Sequence, residues 1–126
     1  MSVRVMFNGQ SEDIESVEEF GSALDRFDQS DTFELWLSAV DGASMTMLRS
    51  QSNAWLMYLR HDGDAGFHSV GQPSRSDTAA YTLSNGQVDD YPLAWCLDVD
   101  LCFKALAHFF VNEGSRPEWV TWHGSW

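Results

Sequence analysis

The chain has 126 residues, of which 19 are acidic and 7 are basic, so its formal net charge is −12. A chain of this length is expected to form one domain over residues 1–126, with a core that needs no metal or disulfide. The charge argues against binding nucleic-acid phosphates or anionic membranes and favours a basic protein partner, although solubility alone would also account for it.

The first predicted elements are a strand and an amphipathic helix. Apolar side chains alternate over residues 3–7, which is typical of a strand, and Asn8-Gly9 closes it. Ser16 and Glu19 have the spacing of a capping box, in which each side chain satisfies a backbone N–H near the helix start. Apolar residues then recur every three or four positions, which predicts a helix at about 17–28.

The middle of the chain changes to a period of two. Strands are predicted where apolar residues alternate between turn signals, at 33–37, 45–49, 54–60 and 67–70. The stretch 54–60 is apolar on both faces, which indicates a central strand covered on both sides. Three hairpin connections in succession predict an antiparallel meander.

The last third contains the most apolar predicted helix. A hairpin over 81–89 is predicted around Asn85-Gly86 and is expected to end at Pro92. The helix is expected at about 98–113, with Asp98 as its cap, and a final strand at 119–123. The predicted fold is therefore α+β, an antiparallel sheet of about six to eight strands packed against both helices.

The sequence offers little catalytic chemistry. Cys96 and Cys102 lie in apolar sequence, without the two-residue spacing of a zinc knuckle or a redox pair, so two buried reduced thiols are expected. Nucleotide-binding and hydrolase motifs are missing, so we expect no enzyme activity and no cofactor. The chain has no signal-peptide pattern and no membrane-spanning run, so a cytoplasmic location is expected.

One turn provides an alternative. His61 and His68 flank Asp62 and Asp64 in the string HDGDAGFH, and histidine and aspartate are both metal ligands. The string lacks the distal glutamate of a calcium loop. A glycine-rich hairpin with a solvated acidic tip explains it better, so no metal is expected, and a small-molecule-binding or metal-dependent hydrolytic domain is the alternative function.

Acidic residues beside aromatic ones are the best candidates for a protein-binding surface. They occur in the turn after residue 60 and near the end of the predicted hairpin. The candidate partner-binding residues are Asp62, Asp64, Phe67, Asp89, Asp90 and Tyr91. Ordinary solvated loops would give the same composition.

Several strings taken together resemble one protein family. They are DGASMTMLRS, AWLMYLRHDGDAGFHSVG, YTLSNGQ, YPLAWCLDVD and KALAHFFVNEGSRPEWVTWH, which span roughly residues 32 to 123. They are similar to the immunity proteins of bacterial polymorphic toxin systems, specifically the first-named family, often encoded beside deaminase-type toxins. The resemblance implies a small cytoplasmic α+β protein that binds a sibling toxin domain tightly and has no catalysis of its own.

The resulting hypothesis is an antitoxin that occludes the active site of a cognate toxin, expected to be a nucleic-acid deaminase with a basic surface. It would make no direct contact with nucleic acid or membrane. The resemblance does not assign contact residues, which vary with the partner. A purely structural module within an assembly is a third interpretation.

Overall fold

The computed structural model of this chain describes residues 3–124. Their strands are β1 (Val3–Phe7), β2 (Gln10–Glu12), β3 (Phe33–Ala39), β4 (Ser44–Ser50), β5 (Asn53–Leu59), β6 (Phe67–Ser69), β7 (Thr78–Thr82), β8 (Val88–Pro92) and β9 (Trp122–Gly124). The helices are α1 (Val17–Phe27) and α2 (Val99–Val111), and a short 3₁₀ helix covers Leu93–Trp95.

Seven strands form one antiparallel sheet, in the order β2-β1-β3-β4-β5-β6-β9, and β7 pairs with β8 in a separate two-stranded sheet. The successive hairpins from β3 to β6 confirm the predicted meander. The strand predicted at 54–60 is β5, an interior strand beside the central β4. Its two apolar faces are explained by cover on both sides, from the helices on one and from the β7–β8 hairpin on the other. The α+β prediction is confirmed.

Both helices pack on the same face of the seven-stranded sheet. Phe20 of α1 and Phe110 of α2 are fully buried, and their rings stack with centroids 4.9 Å apart. Phe27 of α1 stacks on Phe7 of β1 at 3.9 Å. These aromatic contacts bring each helix onto the sheet and the helices onto each other, because aromatic side chains bury the largest apolar areas.

The capping interactions predicted for the helix ends are observed in part. Ser16 Oγ accepts the Glu19 N–H at 3.1 Å, as the capping box predicts, but the Glu19 carboxylate takes the N–H of Glu15 rather than that of Ser16. Asp98 occupies the N-cap of α2, yet its exposed side chain makes no capping bond. The first-turn N–H groups of α2 therefore receive no hydrogen bond from the Asp98 side chain. Gly114 follows the helix at φ +120°, a conformation that suits glycine.

The two edge strands of the sheet, β2 and β9, differ from the prediction. Residues Gln10–Glu12 pair with β1, although their polar sequence gave no strand pattern. The pairing is decided by the Asn8-Gly9 turn, since both residues have positive φ and return the chain antiparallel. The final strand is Trp122–Gly124 instead of 119–123, because only that segment reaches β6.

The β7–β8 hairpin is longer than predicted at its open end. Its strands are Thr78–Thr82 and Val88–Pro92, and Pro92 is the last paired residue, opposite Thr78. Proline is tolerated there because a two-stranded ribbon has a free edge on which no N–H is needed. Asp90, which was predicted to follow the hairpin, therefore lies within β8 together with Asp89.

Candidate protein-interaction face

The face of the seven-stranded sheet opposite the helices is only partly covered, and we call it the hairpin face. Because successive residues of a strand point to opposite faces, the neighbours of helix-facing Leu35, Met47 and Leu56 point to this side. One row follows the register across β1, β3, β4, β5 and β6, in the order Met6, Trp36, Thr46, Met57 and His68. Four of the five side chains in this row are large, and Thr46 is the small polar one.

The β7–β8 hairpin docks on this face through an aromatic cluster. Trp55 of β5 and Tyr81 of β7 are each 1% exposed and are buried together with Leu48. The Trp55 ring lies 4.7 Å from Tyr91 and 4.9 Å from Trp95, measured between centroids. The buried Trp55 Nε1 has no hydrogen-bond partner within residues 3–124. The hairpin is therefore held by ring packing, with an unsatisfied donor beneath it.

Between the hairpin and strands β3 to β5 lies a small apolar depression, which we call the Trp36 pocket. It has a volume of about 110 Å³. Its lining residues are Glu34, Trp36, Thr46, Leu48, Trp55, Met57, Leu83 and Tyr91. Sites for drug-sized ligands are about 300–1,000 Å³, so this pocket has room for one side chain rather than for such a molecule.

Two carboxylates approach the Tyr91 hydroxyl beside the Trp36 pocket. Tyr91 donates to Asp89 Oδ2 at 3.3 Å, and Glu34 accepts from Trp36 Nε1 and from Ser84 N and Oγ, each at 2.9 Å. Burial of the Glu34 carboxyl raises its pKa, but the Ser84 and Trp36 hydrogen bonds outweigh burial and leave the pKa lowered. The Tyr91 pKa is raised by burial, then by Asp89, and also by the charge of Glu34. Negative charge is therefore concentrated at this point.

The candidate residues of β8 divide between its two sides. Asp89 and Tyr91 are partly buried and point toward the sheet, and Asp90 is exposed on the outer side. The structure brings Asp89 and Tyr91 together with Glu34, which sequence reasoning did not select. All three belong to the hairpin face.

The turn after β5 uses one of its two aspartates internally. Asp64 accepts two hydrogen bonds from the Arg60 guanidinium, at 2.9 and 2.8 Å, and a third from the Arg60 backbone N–H. These bonds hold the pKa of the Asp64 carboxyl well below its usual range. Asp62 is exposed. Asp64 therefore stabilises the turn, whereas the Asp62 side chain is open to solvent.

Phe67 lies on the opposite side of the sheet from Tyr91. It pairs with Tyr58, whose ring packs against Phe109 of α2, and the Arg116 guanidinium lies 4.3 Å from the Phe67 centroid. Phe67 is therefore partly covered on the helix side. The six candidate residues do not form one continuous surface, and their role in partner binding stays a prediction.

The histidines of the β5–β6 turn are separated by the fold. His61 is exposed, with Nδ1 2.9 Å from the Asp62 carbonyl oxygen. His68 is 8% exposed and stacks on Trp95 at 4.0 Å. Within residues 3–124, no three histidine, cysteine, aspartate or glutamate side chains are grouped so that they could hold a metal ion. The alternative of a metal-dependent site in this turn has no ligand set in the described part of the chain.

Both cysteines are buried and free, as the sequence predicts. Burial raises the pKa of the Cys102 thiol, and its electrostatic interactions with the nearby Cys96 and Asp98 raise it further. Cys96 Sγ lies 3.3 Å from the Tyr81 hydroxyl. Neither thiol has the exposure of a nucleophile, and the thiolate form of Cys102 is disfavoured. Across residues 3–124, no helix is both long and apolar enough to span a bilayer.

A thiol-labelling experiment checks this assignment. We expect iodoacetamide to leave both cysteines unmodified at neutral pH in the folded protein, because both thiols are buried and the Cys102 thiolate is also disfavoured. In guanidinium chloride, mass spectrometry should find both modified. Modification of Cys96 or Cys102 at the rate of free cysteine in the folded protein would contradict the assignment.

Glu34, Trp36 and Trp95 are the members of the hairpin face that sequence reasoning missed. A signal was present for the first two, because they alternate with the buried residues of β3 and so had to lie on its other face. Trp95 gave no such signal, since it belongs to the 3₁₀ helix that follows β8. The alternation predicted the side of the sheet but not that a hairpin would dock there.

Comparisons with known proteins give one positive finding. Residues 8–123 match the model of a family described as immunity protein Imm1. This match covers nearly the whole described chain and confirms the resemblance noted from the sequence strings. Comparison with curated proteins finds no match to this chain.

Proposed function

Since the chain belongs to the Imm1 family of immunity proteins, we propose that it binds a cognate bacterial toxin domain of the nucleic-acid deaminase class and covers its active site. The protein would act in the cytoplasm of the toxin producer and would catalyse no reaction itself. The observation that carries this proposal is the family match over residues 8–123. The deaminase class rests on the resemblance alone.

The electrostatics support a basic partner. The chain carries a net charge of −12, and a toxin that acts on a nucleobase must accommodate the phosphate backbone of its substrate. Cationic groups around such a cleft would attract an acidic protein and speed the encounter. An inhibitor that covers the cleft then competes with nucleic acid for the same cations.

The hairpin face is the region that suits this role best. The opposite face of the sheet is covered by α1 and α2, whose aromatic side chains are used in the core. The hairpin face instead presents Trp36 and Tyr91, both partly exposed, beside Glu34 and Asp89. Protein interfaces favour such amphipathic aromatics at their centres.

Coexpression with the product of the neighbouring toxin gene tests the proposal. We expect the two proteins to copurify, cells to survive toxin expression, and deamination of a nucleic-acid substrate to stop when the proteins are equimolar. An unrelated toxin, such as a nuclease from another system, serves as the specificity control.

The outcomes separate the parts of the proposal. An expressed toxin that kills cells despite this protein would reject the immunity role for that pair. If the toxin is bound and neutralised by this protein, but the free toxin cleaves its substrate without deaminating it, only the deaminase class would be rejected.

A further inference from the structure

We propose that the Trp36 pocket receives one lysine or arginine side chain of the cognate toxin domain. This inference rests on the proposed function and names the contact through which the hairpin face would recognise its partner. The aliphatic stem of the cation would lie against the apolar walls, and its charged end would meet Glu34 and Asp89.

The walls of the pocket fit a long cationic side chain. Trp36, Trp55 and Tyr91 supply aromatic surfaces, and Met57 and Leu83 supply aliphatic ones. Aromatic faces attract lysine and arginine, and the methylene stems of these residues pack well on apolar surface. The volume of about 110 Å³ limits the occupant to one side chain.

The charge beside the pocket is not neutralised within the chain. In the part of the chain that the structure describes, the ion pairs are Arg26–Glu12, Arg49–Asp28, Arg60–Asp64 and Arg75–Asp77, so neither Glu34 nor Asp89 is paired with a cation. Hydrogen bonds from Ser84 and Trp36 fix the Glu34 carboxylate in place. Asp89 is likewise fixed by Gln87 Nε2 at 2.8 Å. The two acids are thus positioned before a partner arrives.

Other occupants fit less well. An anionic side chain would be repelled by Glu34 and Asp89. A purely apolar side chain would desolvate both carboxylates without pairing them, which is costly. A second copy of this chain is disfavoured because each copy carries a charge of −12.

Two variants with matched controls test the inference against the purified toxin domain. Leu83→Trp fills the pocket without changing its charge, and Asp89→Asn removes one charge with little change in shape. The controls are Val111→Trp, at a residue of α2 that is 54% exposed, and Asp25→Asn on α1. Dissociation constants are measured by calorimetry at low and high salt, after circular dichroism has established that each variant is folded.

We expect each pocket variant to weaken binding at least tenfold and each control less than twofold. The loss from Asp89→Asn should shrink at high salt, because screening weakens the charge interaction in the unmodified protein. If Leu83→Trp fails to fold, Asp89→Asn still decides the question. Tight binding by the unmodified protein with unchanged binding by the pocket variants would overturn this inference and leave the immunity role intact. No binding by the unmodified protein would overturn both.

Discussion

Truncation of Phe110 to alanine should lower the free energy of unfolding by about 3–5 kcal/mol, the usual cost of removing a fully buried phenylalanine. Phe110 is 0% exposed and stacks on Phe20, so the change leaves a cavity where α1 and α2 meet. Much of the stability of a domain this small would be lost, since domains are typically stable by only about 5–15 kcal/mol. Urea unfolding followed by circular dichroism measures the effect.

The neighbouring residue provides the control for this prediction. Val111 is 54% exposed, so Val111→Ala should change the free energy of unfolding by no more than about 0.5 kcal/mol. If the two variants shift the unfolding midpoint equally, then the Phe20–Phe110 contact does not hold the helices together.

Reversal of Asp89 and Asp90 to lysine should slow association with the toxin domain roughly 10- to 100-fold at low salt. The double variant turns two negative charges of the hairpin into two positive ones, which repel the cations expected around the toxin's cleft. The difference should diminish as ionic strength rises, because the screening length is about 10 Å at 0.1 M salt. Stopped-flow association at several salt concentrations measures both effects.

The matched control places the same charge change on the other side of the sheet. Glu18→Lys with Asp25→Lys alters the net charge equally, on exposed positions of α1. We expect this control to associate at nearly the rate of the unmodified protein. Equal slowing of both double variants would attribute the effect to net charge alone, and unchanged rates in the hairpin variant would remove Asp89 and Asp90 from the interface.

The larger buried core lies on the helix side of the sheet. The helix side of the sheet buries the larger core, in which Phe20, Phe33 and Phe109 are fully enclosed. The hairpin face has a smaller buried cluster and leaves Trp36 partly exposed. We therefore expect a substitution on the hairpin face to leave the main core intact, so that an effect on partner binding would not come from unfolding.

The sequence predicted those parts of the fold that depend on local patterns. The alternation in β3 and the Ser16 cap of α1 were predicted correctly because each depends on residues close together in the chain. The prediction failed where pairing partners decide the structure, as in β2, whose polar residues form a strand by pairing with β1. The far end of the hairpin was missed for the same reason, since Pro92 pairs opposite Thr78.

The sequence by itself determined the α+β class, the meander, the buried helices, the acidic charge and the family resemblance. Only the tertiary structure decided which side chains surround each candidate residue. It turned Asp64 inward to Arg60, placed Phe67 beneath Arg116, and brought Glu34 to the same tyrosine as Asp89. The physical reason is that sequence periodicity fixes the side of a strand on which a residue lies, but not which residues lie next to it. Those neighbours are fixed when the β7–β8 hairpin docks on the seven-stranded sheet. This docking depends on contact between Trp55 and Tyr81, which come from strands far apart in the sequence.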